Sequence, residues 1–149
     1  MTKEKLHDIL TDIQLAINWA VFDHRLMYCG GFDARYYTPP EEVAKIAAGY
    51  IPDYIQGDGI YIFNYEIIKG YTINQLIDLL HHEMTHCYCD VNNIKDTREI
   101  NGFNYHTKDF KKAIETHGGI CEYVNSYMGY CETRLTLEAR KKVYKYLNR

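Results

Sequence analysis

Residues 79–90 read "LLHHEMTHCYCD", a stretch in which His82 and His86 stand four positions apart and Glu83 follows the first of them. Residues four apart on an α-helix lie on the same face, so both imidazoles can reach one metal ion. In H-E-x-x-H sites the two histidines bind Zn²⁺, while the glutamate stays off the metal and accepts a proton from the attacking water. The stretch therefore predicts a zinc site with its own general base.

The residues upstream predict the helix that this motif requires. Thr72 is followed three positions later by Gln75, which is the pattern of a capping box. Apolar residues then recur every three or four positions, so we expect a helix from Ile73 to about Tyr88 with one buried face. The run Ile60–Asn64 follows a Gly-Asp-Gly turn signal and predicts a strand. At a sheet edge, that strand could pair with an extended substrate.

The rest of the chain predicts an α+β fold, with a small and mainly antiparallel sheet packed on the motif helix. A length of 149 residues suits one domain, residues 1–149. The other expected elements are a helix over residues 3 to about 20, strands between 23 and 37, a short helix from Thr38 to Gly49, a polar loop from Asp90 to Tyr105, a helix that begins after Thr107 and ends at Gly118-Gly119, and a helix from about Thr136 to Leu147.

A catalytic zinc site needs a third protein ligand and one open position. The metzincin continuation would place Gly at position 89 and His at 92, but this chain has Cys89 and Asn92, which excludes that class. The remaining candidates are His106, His117, Glu99 and Glu115. His106 is the best placed, because it directly precedes the predicted cap of the next helix.

Two segments carry a resemblance to a known family. "LIDLLHHEMTHCY" (Leu76–Tyr88) and "YHTKDFKKAIETHGG" (Tyr105–Gly119) resemble the active-site helix and the later histidine-bearing helix of the SprT-like zinc metallopeptidases, which include the Spartan proteases. The resemblance implies a zincin-like fold, with His82, His86 and His106 as zinc ligands and Glu83 as the catalytic acid/base. It also implies a polypeptide substrate, and proteins bound to DNA as possible targets.

The chain departs from that family pattern in three places. Thr107 stands where the family usually has Gly, and the segment between His86 and His106 is long. Many bacterial members end in a four-cysteine zinc ribbon, which Cys121 and Cys131 cannot supply. Any function that resides in the ribbon is therefore not expected here.

Composition and cysteine spacing limit the other functions open to the chain. The formal charge is −3, and a basic C-terminal end, residues 133–149, is better interpreted as a solvated helix face than as a nucleic-acid contact. The five cysteines form no C-x-x-C pair and suit reduced, mostly buried thiols. Neither a secretory signal nor an apolar run of membrane-spanning length is visible, which predicts a cytoplasmic protein without a membrane partner.

Several residues near the motif have a simpler interpretation than catalysis. His81 points away from the ligand face, Cys87 and Cys89 suit small buried hydrophobes, and His117 suits a helix C-terminus. A tyrosine could donate to the oxyanion, and the sequence leaves Tyr105, Tyr123, Tyr127 and Tyr130 open. Two alternative functions also stay open, a catalytically inactive metal-binding protein and a nucleic-acid-associated module.

Overall fold

A computed structural model describes residues 1–26, 31–32, 46–55 and 58–147. Within those residues the chain forms an α+β fold of five helices and seven short strands. In chain order they are α1 (Lys3–Val21), β1 (Gly31–Phe32), β2 (Ala48–Ile55), β3 (Asp58–Phe63), α2 (Tyr65–Ile68), α3 (Ile73–Val91), β4 (Thr97–Ile100), β5 (Phe103–His106), α4 (Lys108–Thr116), β6 (Gly119–Cys121), β7 (Thr133–Leu135) and α5 (Leu137–Leu147).

Helix α3 forms where the sequence predicts it. The Thr72 side chain accepts from the backbone N–H of Gln75 at 3.2 Å, and the Gln75 side chain accepts from the N–H of Thr72 at 2.8 Å, which closes the capping box. The helix ends at Val91, three residues after the expected Tyr88. Its apolar face enters the main core together with the buried face of α1, the predicted leading helix.

The main sheet has the strand order β1-β3-β2, in which β3 pairs parallel with β1 and antiparallel with β2. The predicted strand Ile60–Asn64 is therefore the central strand, and its expected role as a free edge is wrong. Its run of consecutive apolar residues, all buried, is typical of a strand covered on both faces. Within the described residues, β1 and β2 are the two outer strands, and Pro52 lies at the register irregularity of β2, as expected for a proline in an edge strand.

Two expectations upstream of the sheet need correction or fall outside the described part. The predicted helix from Thr38 to Gly49 is wrong at its end, because Gly49 lies in β2 and pairs with Ile62. Residues 33–45, which would hold the rest of that helix, lie outside the described residues. Of the strands expected between 23 and 37, the short β1 is described, residues 23–26 form a turn, and positions 27–30 and 33–37 also lie outside.

The polar loop expected from Asp90 to Tyr105 is wrong, because most of it is a hairpin of β4 and β5. Asn101 and Gly102 both have positive φ, 51° and 81°, as a two-residue type I′ turn requires. The Asn-Gly pair is a strong hairpin signal in sequence, and it outweighs the polar composition around it. The hairpin sets His106 at its last paired position, opposite Thr97.

The C-terminal part of the chain folds against this hairpin. Helix α4 begins after the Thr107 cap as predicted, and Gly118, with φ +80°, follows its end. Strands β6 and β7 form a second hairpin, which the sequence analysis did not predict. Helix α5 packs on α1 and is joined to α3 by an Arg140–Asp78 ion pair at 2.8 Å. None of the helices in the described ranges has the length and apolar character needed to cross a bilayer.

Candidate metal centre

Three histidines from two elements meet at the surface of α3. His82 and His86 lie one turn apart on the helix, and His106 ends strand β5. The Nε2 atom of His86 lies 3.2 Å from Nε2 of His82 and 3.2 Å from Nε2 of His106. The three residues are thus close enough to hold one metal ion. Of the candidates for a third ligand, the structure brings in His106 and leaves His117, Glu99 and Glu115 out of this group.

Each of these imidazoles is held in place by a hydrogen bond at its Nδ1 atom. His86 Nδ1 donates to Asp96 Oδ2 at 2.6 Å, and His106 Nδ1 donates to the carbonyl oxygen of Met128 at 2.9 Å. His82 Nδ1 is hydrogen-bonded to Thr133 Oγ1 at 2.9 Å. The partner of the other ring nitrogen selects the tautomer of a metal-binding histidine, so these bonds turn the Nε2 lone pairs toward one another.

The chemistry of this arrangement fits a cation. A carboxylate and a carbonyl can only accept, so the neutral rings of His86 and His106 carry their proton on Nδ1 and have none on Nε2. Their 3.2 Å contact therefore cannot be a hydrogen bond between neutral rings. Nitrogen ligands about 2.0–2.1 Å from a tetrahedral zinc ion lie roughly 3.3 Å apart, close to this separation. A cation between the lone pairs would turn their repulsion into binding.

The surroundings keep the imidazoles of His82 and His106 neutral. Phe110 is fully buried beneath the site, and its ring stacks on His86 with centroids 4.4 Å apart. Burial, together with the nearby His86, lowers the pKa of His106 to about 4. Burial also holds the pKa of His82 well below its usual range. Neutral imidazole is the form that binds metal, so the site favours an ion over protons at neutral pH.

Glu83 lies beside the three histidines with 4% of its surface exposed. In the described part of the chain its carboxylate has no hydrogen-bond or ion-pair partner. Burial raises the pKa of this carboxyl. A carboxylate with a raised pKa is a stronger base than an exposed one, which suits it to proton transfer near neutral pH.

A cleft runs along α3 and opens on this group. One cavity of about 720 Å³ is lined by all three histidines and Glu83. Residues 48–52 of the outer strand β2 form the wall opposite α3. A second cavity of about 650 Å³ continues on the other side of His82 and Glu83. Strand β2 is therefore the strand that could pair with an extended chain in the cleft.

The other residues singled out by sequence lie away from the three histidines. His81 is buried, and its Nε2 donates to the carbonyl oxygen of His117 at 2.8 Å. Cys87 and Cys89 are buried thiols that form no disulfide within the described residues, as predicted. Cys29 lies outside the described residues. The four tyrosines proposed as oxyanion donors do not line either cavity, whose walls contain Tyr50 and Tyr71 instead.

Sequence reasoning missed the residues that orient the ligands. Asp96 precedes β4, and Thr133 begins β7, 51 positions after the histidine it contacts. Neither stands at a recognisable spacing from the motif. The only local signal is the Asn101-Gly102 hairpin, which pairs Thr97 with His106 and so predicts that Asp96 lies near the third ligand.

Comparison with protein-family models, with curated protein sequences and with solved structures finds no match to this chain.

Proposed function

We propose that this protein is a zinc-dependent endopeptidase of the SprT-like, zincin type, with His82, His86 and His106 as zinc ligands and Glu83 as the catalytic acid/base. The observation that carries the proposal is the trio of mutually facing Nε2 atoms beside a buried carboxylate that has no partner among the described residues. A structural zinc site usually has four closed protein ligands, whereas three histidines leave a position open for reaction.

Zinc held by these ligands would supply Lewis acidity, which makes water a nucleophile at neutral pH and polarises a peptide carbonyl. Glu83 takes the proton from the attacking water and returns it to the leaving amine. Its burial supports the first step, because the raised pKa makes the carboxylate a better proton acceptor. Asp96, Thr133 and the Met128 carbonyl hold the histidines in the ligand orientation.

The proposed substrate is an extended polypeptide that lies in the cleft between β2 and α3. Pairing with the outer strand would bind the main chain and leave the choice of substrate to the cavities on either side of Glu83. On the family resemblance alone, proteins associated with DNA are a candidate class of substrate.

The proposal is tested by metal content and proteolysis in three proteins purified without added metal: wild type, Glu83→Gln and His106→Ala. We expect about one zinc in wild type and in Glu83→Gln, loss of zinc in His106→Ala, and cleavage of casein or DNA-bound histone by wild type alone. Zinc retained in His106→Ala would show that the third ligand is wrong. Zinc in all three with no cleavage would favour the catalytically inactive metal-binding protein.

A further inference from the structure

The cleft extends beyond Glu83 into the cavity of about 650 Å³, which the proposed chemistry does not use. One wall is the first half of α3, and the opposite wall is the segment that joins β6 to β7. Glu83 lines this cavity as well as the larger one, with 4% of its surface exposed and no partner among the described residues. A substrate residue next to the bond being hydrolysed could therefore place its side chain here.

The cavity has an apolar wall that suits the stem of a long side chain. Ala47, Ala48, Tyr71 and Leu79 line it, and each of them packs against the main core. Lysine and arginine commonly lay their methylene groups along such surface and keep the charged end at a polar rim. The wall alone would equally accept leucine or methionine, so the charge at the rim decides the preference.

The rim of the cavity is acidic beyond what its own cations neutralise. Asp78 is paired with Arg140 at 2.8 Å, and Glu122 is paired with Arg134 at 2.6 Å. Glu132 lies on the same rim and is exposed. Its carboxylate accepts a hydrogen bond from the Tyr123 hydroxyl, but no lysine or arginine in the described ranges pairs with it. Among the described residues, Glu132 is therefore the rim carboxylate that no cation pairs with, which leaves it available to a cationic ligand.

We propose that this cavity is a specificity subsite for the lysine or arginine side chain of a substrate residue adjacent to the hydrolysed bond, with Glu132 as the pairing carboxylate. This inference rests on the proposed peptidase function. It predicts that the basic residue stands on one fixed side of the cleaved bond, because the cavity lies on one side of Glu83.

The first test compares two peptides that differ at one residue next to the cleaved bond, which is lysine in one peptide and its uncharged analogue norleucine in the other. The comparison is made for each side of the bond. We expect wild type to prefer lysine on one side by about 10-fold in kcat/KM, Glu132→Gln to lose most of that ratio, and Glu132→Lys to reverse it. Glu138→Lys, an exposed acid outside both cavities, is the matched control and should retain the preference. An unchanged ratio in Glu132→Lys would overturn the inference and leave the peptidase function standing.

A binding measurement tests the subsite even if no peptide is cleaved. Fluorescence anisotropy with the same two peptides, labelled, would be measured on zinc-loaded Glu83→Gln protein, with and without Glu132→Lys. Tighter binding of the lysine peptide by about 10-fold, lost on adding Glu132→Lys, supports the subsite whether or not wild type hydrolyses peptides. Equal binding of the two peptides would overturn it. Metal content of each variant shows whether Glu132→Lys has disturbed the histidines instead.

Discussion

Apart from strand β2, two walls of the cleft meet at the three histidines, and they are built in opposite ways. Helix α3 supplies two of the histidines and Glu83 and sends Leu76, Leu80 and Met84 into the main core, where all three are fully buried. The second of these walls consists of the hairpins β4–β5 and β6–β7 and the segments beside them, and in β4–β5 only His106 is buried. Core packing therefore fixes the positions of two ligands, while polar contacts fix the orientation of all three imidazole rings.

Hydrogen bonds hold the hairpin wall together. The backbone N–H of His106 donates to Met128 at 2.9 Å, and the N–H of Tyr130 donates to the carbonyl of His106 at 3.2 Å. Gly129, between them, has φ +66°, and a Cβ atom there would lie 2.2 Å from the His106 carbonyl oxygen. This close approach admits only glycine, and it sets the distance between the segment and strand β5.

The largest expected effect is a difference in how much the two walls contribute to the free energy of unfolding. Leu80→Ala removes a fully buried side chain from the core beneath α3 and should lower the free energy of unfolding by about 2–5 kcal/mol. Phe103→Ala, at the half-exposed tip of the hairpin, should lower it by less than about 1 kcal/mol. Urea unfolding of the metal-free proteins measures both. Equal losses would contradict the division between a packed and a polar wall.

The next effect concerns metal affinity. Asp96→Asn replaces the carboxylate that accepts from His86 Nδ1 at 2.6 Å with a weaker acceptor. We expect zinc affinity to fall about 10–100-fold, the usual cost of losing such a partner. Competition with a chromophoric chelator measures the affinity, and Glu99→Gln, an exposed acid on the same hairpin, is the control. An unchanged affinity in Asp96→Asn would show that the helix alone orients its ligands.

This division also explains how much of the molecule could be predicted from sequence. Helix α3 could be, because the capping box and the apolar periodicity are local signals that its burial reinforces. His106 could be named because it stands beside the Thr107 cap. Strand β2 could not, since its first residues, Ala48 and Gly49, belong to an Ala-Ala-Gly stretch that favours a helix ending, and pairing with β3 overrides that preference.

The contacts of Asp96 and Thr133 were beyond sequence reasoning for a different reason. These contacts depend on which hairpin packs against which helix, and the spacing of the two residues along the chain does not indicate that packing. Thr133 illustrates this, because Leu135, in the same strand, donates its N–H to Asp78 on α3 at 2.9 Å and so fixes the strand against the helix. The orientation of a ligand side chain thus depends on tertiary structure, even when a sequence motif identifies the ligand itself.

Acid should lower the free energy of unfolding of the metal-free protein through a buried histidine of helix α3. Burial lowers the pKa of His81 from 6.5 to about 4. Between these values the unfolded chain binds the proton and the folded chain does not, so stability falls as pH falls. We expect His81 to contribute a loss of about 2 kcal/mol between pH 7 and pH 5. Urea unfolding at both pH values should show a smaller loss in His81→Gln; an equal loss would assign the sensitivity to other groups.

The smallest expected effect lies where the two walls meet. Thr133→Val removes the hydroxyl that bonds His82 Nδ1 at 2.9 Å while keeping the shape of the side chain. A hydroxyl can donate or accept, so it selects the tautomer of His82 less firmly than Asp96 selects that of His86. Helix α3 also fixes the His82 backbone. We therefore expect zinc affinity to fall by less than about 10-fold, as for one neutral hydrogen bond, and Thr133→Ser to restore it. A loss as large as that of Asp96→Asn would mean that the hairpins orient both helix ligands equally, and the helix would then fix only their position.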